Sequence, residues 1–193
     1  MMTKIGLIYS FNTIKTSKNA EKVKKAFGKD FDIEMVNVEE IDEESFLSHK
    51  NMVLGVPTWF DGELPSYWDE FMPAIEQLKL KGKKVALFGL GDQVGYPENF
   101  VDGIGLLAIA LEDRGAKVIG LTSPEGYTFE RSEALRDGKF LGLALDIEYY
   151  YDDIVKLAIK LGSIDPNPSQ KLIEKVENNY WDFMANIILG FEL

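Results

Sequence analysis

Hydroxyl, amide and ammonium side chains gather in a short segment between an apolar run and a helical pattern. This first loop, Ser10-Phe11-Asn12-Thr13-Ile14-Lys15-Thr16, follows a strand-like stretch at residues 4–10. A helix that begins here directs free N–H groups and the positive end of its dipole at the loop. Together with the hydroxyls, these groups would make a phosphate cradle that needs no metal. The alternative is an ordinary helix N-cap, and the GxxxxGK[ST] pattern of nucleotide triphosphatases does not occur here.

The second loop, Val56-Pro57-Thr58-Trp59-Phe60-Asp61-Gly62-Glu63-Leu64-Pro65, holds two adjacent aromatic residues beside glycine and proline. Segments of this composition connect secondary-structure elements at the surface. We therefore interpret Trp59 as an exposed stacking surface for a planar ligand. The alternative is that Trp59 covers a helix.

The third loop is Gly89-Leu90-Gly91-Asp92-Gln93-Val94-Gly95-Tyr96-Pro97-Glu98-Asn99-Phe100. Its three glycines allow the backbone to approach a ligand closely, and Tyr96 could supply a second aromatic face. The alternative is a glycine-rich turn with Asn99 as a helix cap. Each loop alone is weak evidence for a binding site, but the order of the three loops along the chain is much stronger evidence.

The elements that must position these loops alternate between strand and helix patterns. Short apolar runs predict strands at residues 4–10, 33–38, 52–56, 84–89 and 118–121. Helices are predicted at residues 16–27, 43–48, 66–78, 99–114 and 171–189. The apolar run at residues 140–145 is interpreted as the continuation of the last strand after an excursion.

This alternation predicts an α/β protein with a parallel sheet, helices on both faces and right-handed crossovers. We expect one domain over residues 1–193. In such sheets, ligands lie beyond the carboxyl ends of the strands, where the strand order reverses. Since all three loops follow strands, we expect them to meet on one ligand.

The composition excludes several kinds of site. The chain has no cysteine, which excludes disulfides and thiolate chemistry and makes a cytoplasmic location the expectation. His49 is the one histidine, too few for most triads or metal clusters, and we interpret it as a solvated surface residue. The net charge of −11 disfavours nucleic acid and membrane surfaces and favours basic partners. No apolar run approaches the roughly 20 residues of a membrane helix, and no signal peptide is predicted.

Three stretches make the sequence resemble a flavodoxin of the long-chain type: residues 55–65, 86–100 and 138–146. The excursion at residues 122–139 corresponds to the loop that marks long-chain members. The resemblance implies a flavodoxin-like three-layer sandwich with a five-stranded parallel sheet in the order 2-1-3-4-5. It also implies a low-potential carrier of one or two electrons on a non-covalently bound FMN, rather than an enzyme.

The resemblance also assigns roles within the three loops. The first loop would bind the phosphate, while Trp59 and Tyr96 would stack on opposite faces of the flavin. The residues expected to bind the cofactor are Ser10, Phe11, Asn12, Thr13, Ile14, Lys15, Thr16, Pro57, Thr58, Trp59, Phe60, Gly62, Leu90, Gly91, Asp92, Tyr96, Asn99, Phe100 and Asp102. No catalytic or metal-binding residue is expected. The expected partners are redox proteins with basic docking surfaces, and the protein is expected to be a monomer.

Three residues depart from the family pattern near the ligand. The family phosphate loop reads Ser/Thr-x-Thr-Gly-x-Thr, but Phe11 replaces the first hydroxyl and Ile14 replaces the glycine. We expect weakened FMN binding, because a hydrogen bond to a charged group is worth roughly 1.5–3 kcal/mol. Ile14 would also be strained if its position needs positive φ. In relatives, the peptide that here joins Phe60 to Asp61 flips toward flavin N5, a change that is easiest at glycine.

Two further departures lie toward the end of the chain. Residues 147–169 form an atypical insertion that contains Tyr149-Tyr150-Tyr151. It is interpreted as an added surface helix, or as a lid or docking element near the cofactor. The apolar stretch at residues 187–191 is expected to pack on the domain or to serve an interface.

Two other functions remain open from the sequence. The apolar residues Phe11, Ile14 and Phe60 favour a binding module of the same fold for another planar ligand, such as a tetrapyrrole or heme. An FMN-dependent reductase is the other alternative. It would need space above the flavin, which two stacked aromatic rings would close.

Overall fold

The computed structural model describes residues 2–146 and 179–191. Its strands are β1 (Thr3–Tyr9), β2 (Phe31–Asn37), β3 (Asn51–Gly55), β4 (Lys84–Gly91), β5 (Lys117–Ile119), β6 (Leu135–Arg136), β7 (Lys139–Phe140) and β8 (Leu143–Asp146). Its helices are α1 (Ile14–Phe27), α2 (Glu43–Ser48), α3 (Ser66–Asp69), α4 (Met72–Ile75), α5 (Asp102–Asp113) and α6, which covers residues 179–191. Short 3₁₀ turns lie at Val38–Glu40 and Pro97–Asn99. None of the helices in these two ranges is long and apolar enough to cross a membrane.

The main sheet is parallel and has the order β2-β1-β3-β4-β5, which confirms the predicted topology. Its fifth position is shared by two strands. β5 pairs with residues 84–86 of β4, and β8 pairs with residues 88–91 of the same strand. The chain leaves the sheet after β5, forms the antiparallel pair β6–β7 and returns as β8. The predicted continuation of the last strand is therefore confirmed for β8.

Apolar side chains cover both faces of this sheet. On one face, Trp68 of α3 and Ile104 of α5 pack with alternate residues of the strands. On the other face, Phe27 of α1 and Phe183 of α6 occupy a second buried cluster. Helices therefore cover both sides, as the three-layer prediction requires. Because parallel strands carry their carboxyl ends at one edge, the first, second and third loops all leave the sheet from that edge.

Three predicted helices differ from the structure. The helix expected at residues 66–78 is two short helices, α3 and α4. Pro73 lies in the first turn of α4, and its ring nitrogen has no N–H with which to extend the hydrogen bonds of α3. The helix expected from residue 99 begins at Asp102, because Val101 has a left-handed φ of 51°. In contrast, α1 begins at Ile14, two residues before its predicted start.

The prediction that His49 is a solvated surface residue is wrong. Its side chain is 4% exposed and packs against Gly6, where a Cβ atom would lie 2.6 Å from the imidazole ring. The imidazole Nε2 lies 3.0 Å from a Glu34 carboxylate oxygen, and Nδ1 lies 2.9 Å from the Ser45 carbonyl. These contacts span three separate elements, so the position of one histidine in the sequence could not reveal them. The tyrosine-rich insertion at residues 147–169 lies outside the described residues.

Trp68 connects the core to the edge from which the loops leave. Its side chain is fully buried, and its indole Nε1 donates a hydrogen bond of 3.0 Å to the carbonyl of Gly55, the last residue of β3. We expect Trp68→Phe to lower the free energy of unfolding by about 2–3 kcal/mol, since it removes buried ring volume and a buried donor. Urea unfolding measures this change. The matched control is Trp181→Phe, at a side chain that is 61% exposed. An equal loss of unfolding free energy in both variants would contradict a special role for the buried Trp68.

Candidate functional site

A cleft of about 620 Å³ opens at the carboxyl edge of the sheet, between the three loops. It is lined by Asn12, Thr13, Ile14, Lys15, Thr16, Pro57, Thr58, Trp59, Phe60, Leu90, Gly91, Asp92, Tyr96 and Asn99. Every one of these residues belongs to the set predicted from the sequence. The fold therefore brings together three segments that are far apart in the chain.

The first loop contributes the N-terminus of α1 to this cleft. Within the described residues, the backbone N–H groups of Ile14, Lys15 and Thr16 donate to no carbonyl. The first turn of α1 carries no acidic residue, and Thr13, at the N-cap, forms no side-chain cap. Free N–H groups and the helix dipole make this end of the cleft suited to an anion. Ile14 is helical rather than left-handed, so the strain considered for it does not occur.

Most side-chain donors of the first loop are engaged within the protein. The Ser10 hydroxyl donates to the Glu39 carboxylate, and the Asn12 amide donates to the other oxygen of Glu39 at 2.7 Å. The Thr13 hydroxyl donates to the Ser10 carbonyl at 2.8 Å. The anion end of the cleft is therefore defined by backbone N–H groups more than by side chains.

Aromatic side chains from the second and third loops form the walls of the cleft. Trp59 is 37% exposed and Tyr96 is 51% exposed, which are large fractions for aromatic side chains. The indole of Trp59 packs edge-on against Tyr67, with ring centroids 5.8 Å apart. Paired backbone bonds between Trp59 and Glu63, of 2.9 and 2.8 Å, hold the loop that carries the indole. The cleft thus presents flat apolar surfaces on rigid supports.

Two polar side chains that line the cleft serve to shape its loops. One Asp92 carboxylate oxygen accepts hydrogen bonds from the N–H groups of Val94 and Gly95, at 3.1 and 2.7 Å. The Thr58 hydroxyl accepts from the Gly103 N–H at 3.0 Å and so joins the second loop to α5. The Asp92 bonds shape the turn before Tyr96, and the Thr58 bond anchors the loop that carries Trp59 to α5.

Five of the residues predicted to bind the cofactor lie outside the lining of this cleft: Ser10, Phe11, Gly62, Phe100 and Asp102. Ser10 is buried and faces Glu39. Phe11 is 48% exposed, and its ring centroid lies 5.0 Å from that of Tyr9. Phe100 is fully buried and stacks on Phe129 in the core.

Gly62 of the second loop lies against Asp102, the first residue of α5. A Cβ atom on Gly62, whose φ is 95°, would lie 2.8 Å from both the Asn99 amide nitrogen and an Asp102 carboxylate oxygen. Asp102 accepts hydrogen bonds from the Glu133 N–H at 2.7 Å and from the Asn99 amide at 3.2 Å. Burial raises the pKa of the Asp102 carboxyl, and these two hydrogen bonds act in the opposite direction. Asp102 therefore joins the third loop to the excursion.

Two residues that no motif in the sequence indicates, Glu39 and Tyr67, adjoin the site. They line a second cleft of about 630 Å³, which shares Asn12, Thr13 and Trp59 with the first. Burial, together with the charge of Glu39, holds the pKa of the Tyr67 hydroxyl well above its ordinary value. Glu39 lies in a run of acidic residues typical of a solvated surface. Only the position of β2 beside β1 brings it to the first loop.

The backbone of Phe60 is strained. Its φ of 42° lies in the left-handed region that favours glycine, while its side chain is 73% exposed. We expect Phe60→Gly to raise the free energy of unfolding in urea by about 0.5–1 kcal/mol, because relief of the strain exceeds the added freedom of the unfolded chain. Asp61→Gly is the control, since the φ of Asp61 is negative. If both substitutions changed stability equally, strain at Phe60 would not be the cause.

Comparison with known proteins supplies an independent result. The family model described as Flavodoxin matches residues 7–178. A flavodoxin from Synechocystis sp. is 40% identical over 159 residues, which cover 82% of this chain and 93% of the relative. A flavodoxin from Klebsiella pneumoniae is 42% identical over 159 residues, covering 78% and 90%.

Solved structures agree with these sequence matches. The Fusobacterium nucleatum flavodoxin bound to flavin mononucleotide aligns with a TM-score of 0.71 and 30% identity, over 92% of this chain and 98% of that one. The oxidised Flavodoxin 2 from Bacillus cereus aligns with a TM-score of 0.62 and 26% identity, over 95% and 99%. The order of the sheet, the three converging loops and these matches agree: the chain belongs to the flavodoxin family.

Proposed function

We propose that the cleft between the three loops holds the FMN on which this flavodoxin carries one or two electrons between partner proteins. The flavodoxins are FMN-binding electron carriers and not enzymes. The observation that carries the proposal is that exposed aromatic walls and a free helix N-terminus open onto one cleft. When bound, FMN supplies the reversible uptake of electrons, and the chain supplies binding, orientation and charge.

The phosphate end of FMN fits the N-terminus of α1. The free N–H groups of Ile14, Lys15 and Thr16 supply donors, and the Lys15 ammonium supplies a positive charge. The absence of acidic residues from the first turn of α1 favours an anion there. Thr16 lines the cleft and can add a hydroxyl. This donor set supports a phosphate that is held mainly by backbone N–H groups.

The flavin ring fits the space bordered by Trp59 and Tyr96. Stacking on aromatic faces binds a planar heterocycle without demanding a particular hydrogen-bond pattern. Gly91 lines the cleft, and its neighbours leave no space for a side chain, since a Cβ atom would lie 2.8 Å from the Val101 nitrogen. Backbone groups at Gly91 and Asp92 can therefore meet the polar edge of the ring.

The tetrapyrrole alternative has no histidine available for an axial bond. His49 is buried against Gly6 and faces Glu34, and it does not line the cleft. Within the described part of the chain there is also no cluster of metal-binding side chains. The geometry supports FMN as the ligand of the cleft.

The docking surface that we propose surrounds the mouth of the cleft. Asp61, Glu63 and Glu98 are exposed there, and none of them pairs with a basic side chain in the ranges that the structure describes. Exposed Phe60 and Tyr96 provide an apolar centre among these charges. Such a surface supports redox partners with basic docking faces, since complementary charge speeds association. The net charge of −11 also supports a monomer, because copies of the chain repel one another. We also propose a cytoplasmic location.

Trp59 provides the test of the flavin site. We expect Trp59→Ala to weaken FMN binding about 10- to 100-fold, because stacking contributes roughly 1–3 kcal/mol per ring. Trp59→Phe should recover most of that loss. Quenching of FMN fluorescence by the apoprotein measures both affinities.

The control is Trp181→Ala, which removes an exposed indole from α6. Equal affinity in wild type and Trp59→Ala would rule out stacking on this side chain. If the wild-type protein is colourless after incubation with excess FMN and removal of the free FMN, the proposed function itself is overturned.

Asp61 tests the influence of surface charge on the bound flavin. Reduction adds negative charge to the flavin, and a negative carboxylate beside the ring opposes it. We therefore expect Asp61→Asn to raise the midpoint potential of the bound flavin by about 10–40 mV, which corresponds to a surface charge interaction that solvent screens. A spectroscopic redox titration of the FMN-loaded protein measures the shift. Asp30→Asn is the matched control, because Asp30 precedes β2 at the opposite edge of the sheet. A shift of equal size in both variants would show a general effect of net charge.

A further inference from the structure

Glu39 makes close contacts with the first loop from 27 and 29 residues away in the chain. Its two carboxylate oxygens accept hydrogen bonds from the Ser10 hydroxyl and from the Asn12 amide. Asn12 also lines the cleft at the end where α1 begins. The one of these two donors that lines the cleft, the Asn12 amide, is thereby engaged by a carboxylate.

The charge of Glu39 is balanced by no cation within residues 2–146 and 179–191. The ion pairs in these ranges involve Glu34, Glu112 and Glu133, not Glu39. The influence of its charge extends to Tyr67, whose pKa it helps to raise. A full negative charge therefore lies beside the loop to which the phosphate is assigned.

The shape of the loop has supports other than Glu39. The Asn37 side-chain oxygen accepts a hydrogen bond from the Phe11 N–H at 3.3 Å, and the Thr13 hydroxyl donates to the Ser10 carbonyl. A glutamine at position 39 keeps an oxygen that can accept from Asn12 or Ser10. Replacing Glu39 by glutamine therefore removes the charge and leaves the loop supported.

We propose that Glu39 sets how strongly this protein discriminates phosphorylated from unphosphorylated flavin, an inference that rests on the proposed FMN site. Its carboxylate repels the phosphate dianion and competes with it for the Asn12 amide, the donor that lines the cleft. Because riboflavin lacks the phosphate, Glu39 lowers the affinity for FMN and leaves the affinity for riboflavin unchanged. Glu39 is thus a specificity-determining residue that reduces the preference for FMN.

The experiment compares Glu39→Gln with Glu40→Gln in the apoprotein. Glu40 is an exposed neighbour on the same 3₁₀ turn, and its carboxylate accepts from the Asn37 amide at 3.1 Å rather than from the first loop. Both variants lose one negative charge, so they differ in contact and not in net charge. Dissociation constants for FMN and for riboflavin are measured by fluorescence quenching at low and at high salt.

We expect Glu39→Gln to bind FMN about two- to fivefold more tightly than wild type at low salt, with riboflavin unchanged. Glu40→Gln should show a smaller change, and the gain should decrease in high salt as charges are screened. Weaker binding of both ligands by Glu39→Gln would overturn the proposal and make Glu39 a structural support only. An equal gain in both variants would also overturn it, since a general charge effect would then suffice. Failure of wild type to bind either flavin would instead contradict the proposed function.

Discussion

Two backbone hydrogen bonds beyond the end of β3 determine how the site is built. The N–H groups of Val56 and Thr58 donate to the carbonyls of Phe88 and Leu90, both at 2.9 Å, so the second loop continues alongside β4. This close approach requires a residue without a side chain in β4, because a Cβ atom on Gly89 would lie 2.4 Å from the Val56 carbonyl. Trp59 follows Thr58 directly, so this pairing with β4 places the start of the segment that carries the indole.

The polar side chains around the cleft act mainly on the protein itself. Thr58 holds the second loop to α5, Asp92 closes the turn before Tyr96, and Asn12 donates to Glu39. We therefore propose that recognition of the cofactor depends on aromatic faces and on backbone N–H groups. Rigid loops make such recognition effective, since groups that are fixed in advance lose little freedom when a ligand binds.

The parts of the fold that depend on local pattern could be predicted from the sequence. Apolar runs identified the strands, hydroxyl and amide residues identified the first loop, and glycine and aromatic residues identified the second and third loops. The break between α3 and α4 was missed because apolar spacing continues across Pro73, while the missing N–H interrupts the hydrogen bonds.

Contacts between distant residues were beyond the reach of local pattern. The burial of His49 depends on the space above Gly6, and the contact of Glu39 with Ser10 depends on the pairing of β1 with β2. Phe100 ends a loop that resembles a binding segment and Asp102 begins the helix after it, but their side chains face the core and the excursion. A motif indicates which backbone lies near the ligand more reliably than where each side chain points.

The excursion between β5 and β8 has a consequence for how such a protein can change in evolution. Its two ends are bonded to each other, since Thr122 and Phe140 exchange backbone hydrogen bonds of 3.1 and 2.9 Å. Insertions and deletions within it can therefore occur without displacing the strands on either side. The buried carboxylate of Asp102, however, takes a hydrogen bond from the Glu133 N–H inside the excursion. A lineage that lost the excursion would leave that carboxylate without this donor, so the segment and residue 102 are expected to be gained, lost or altered together.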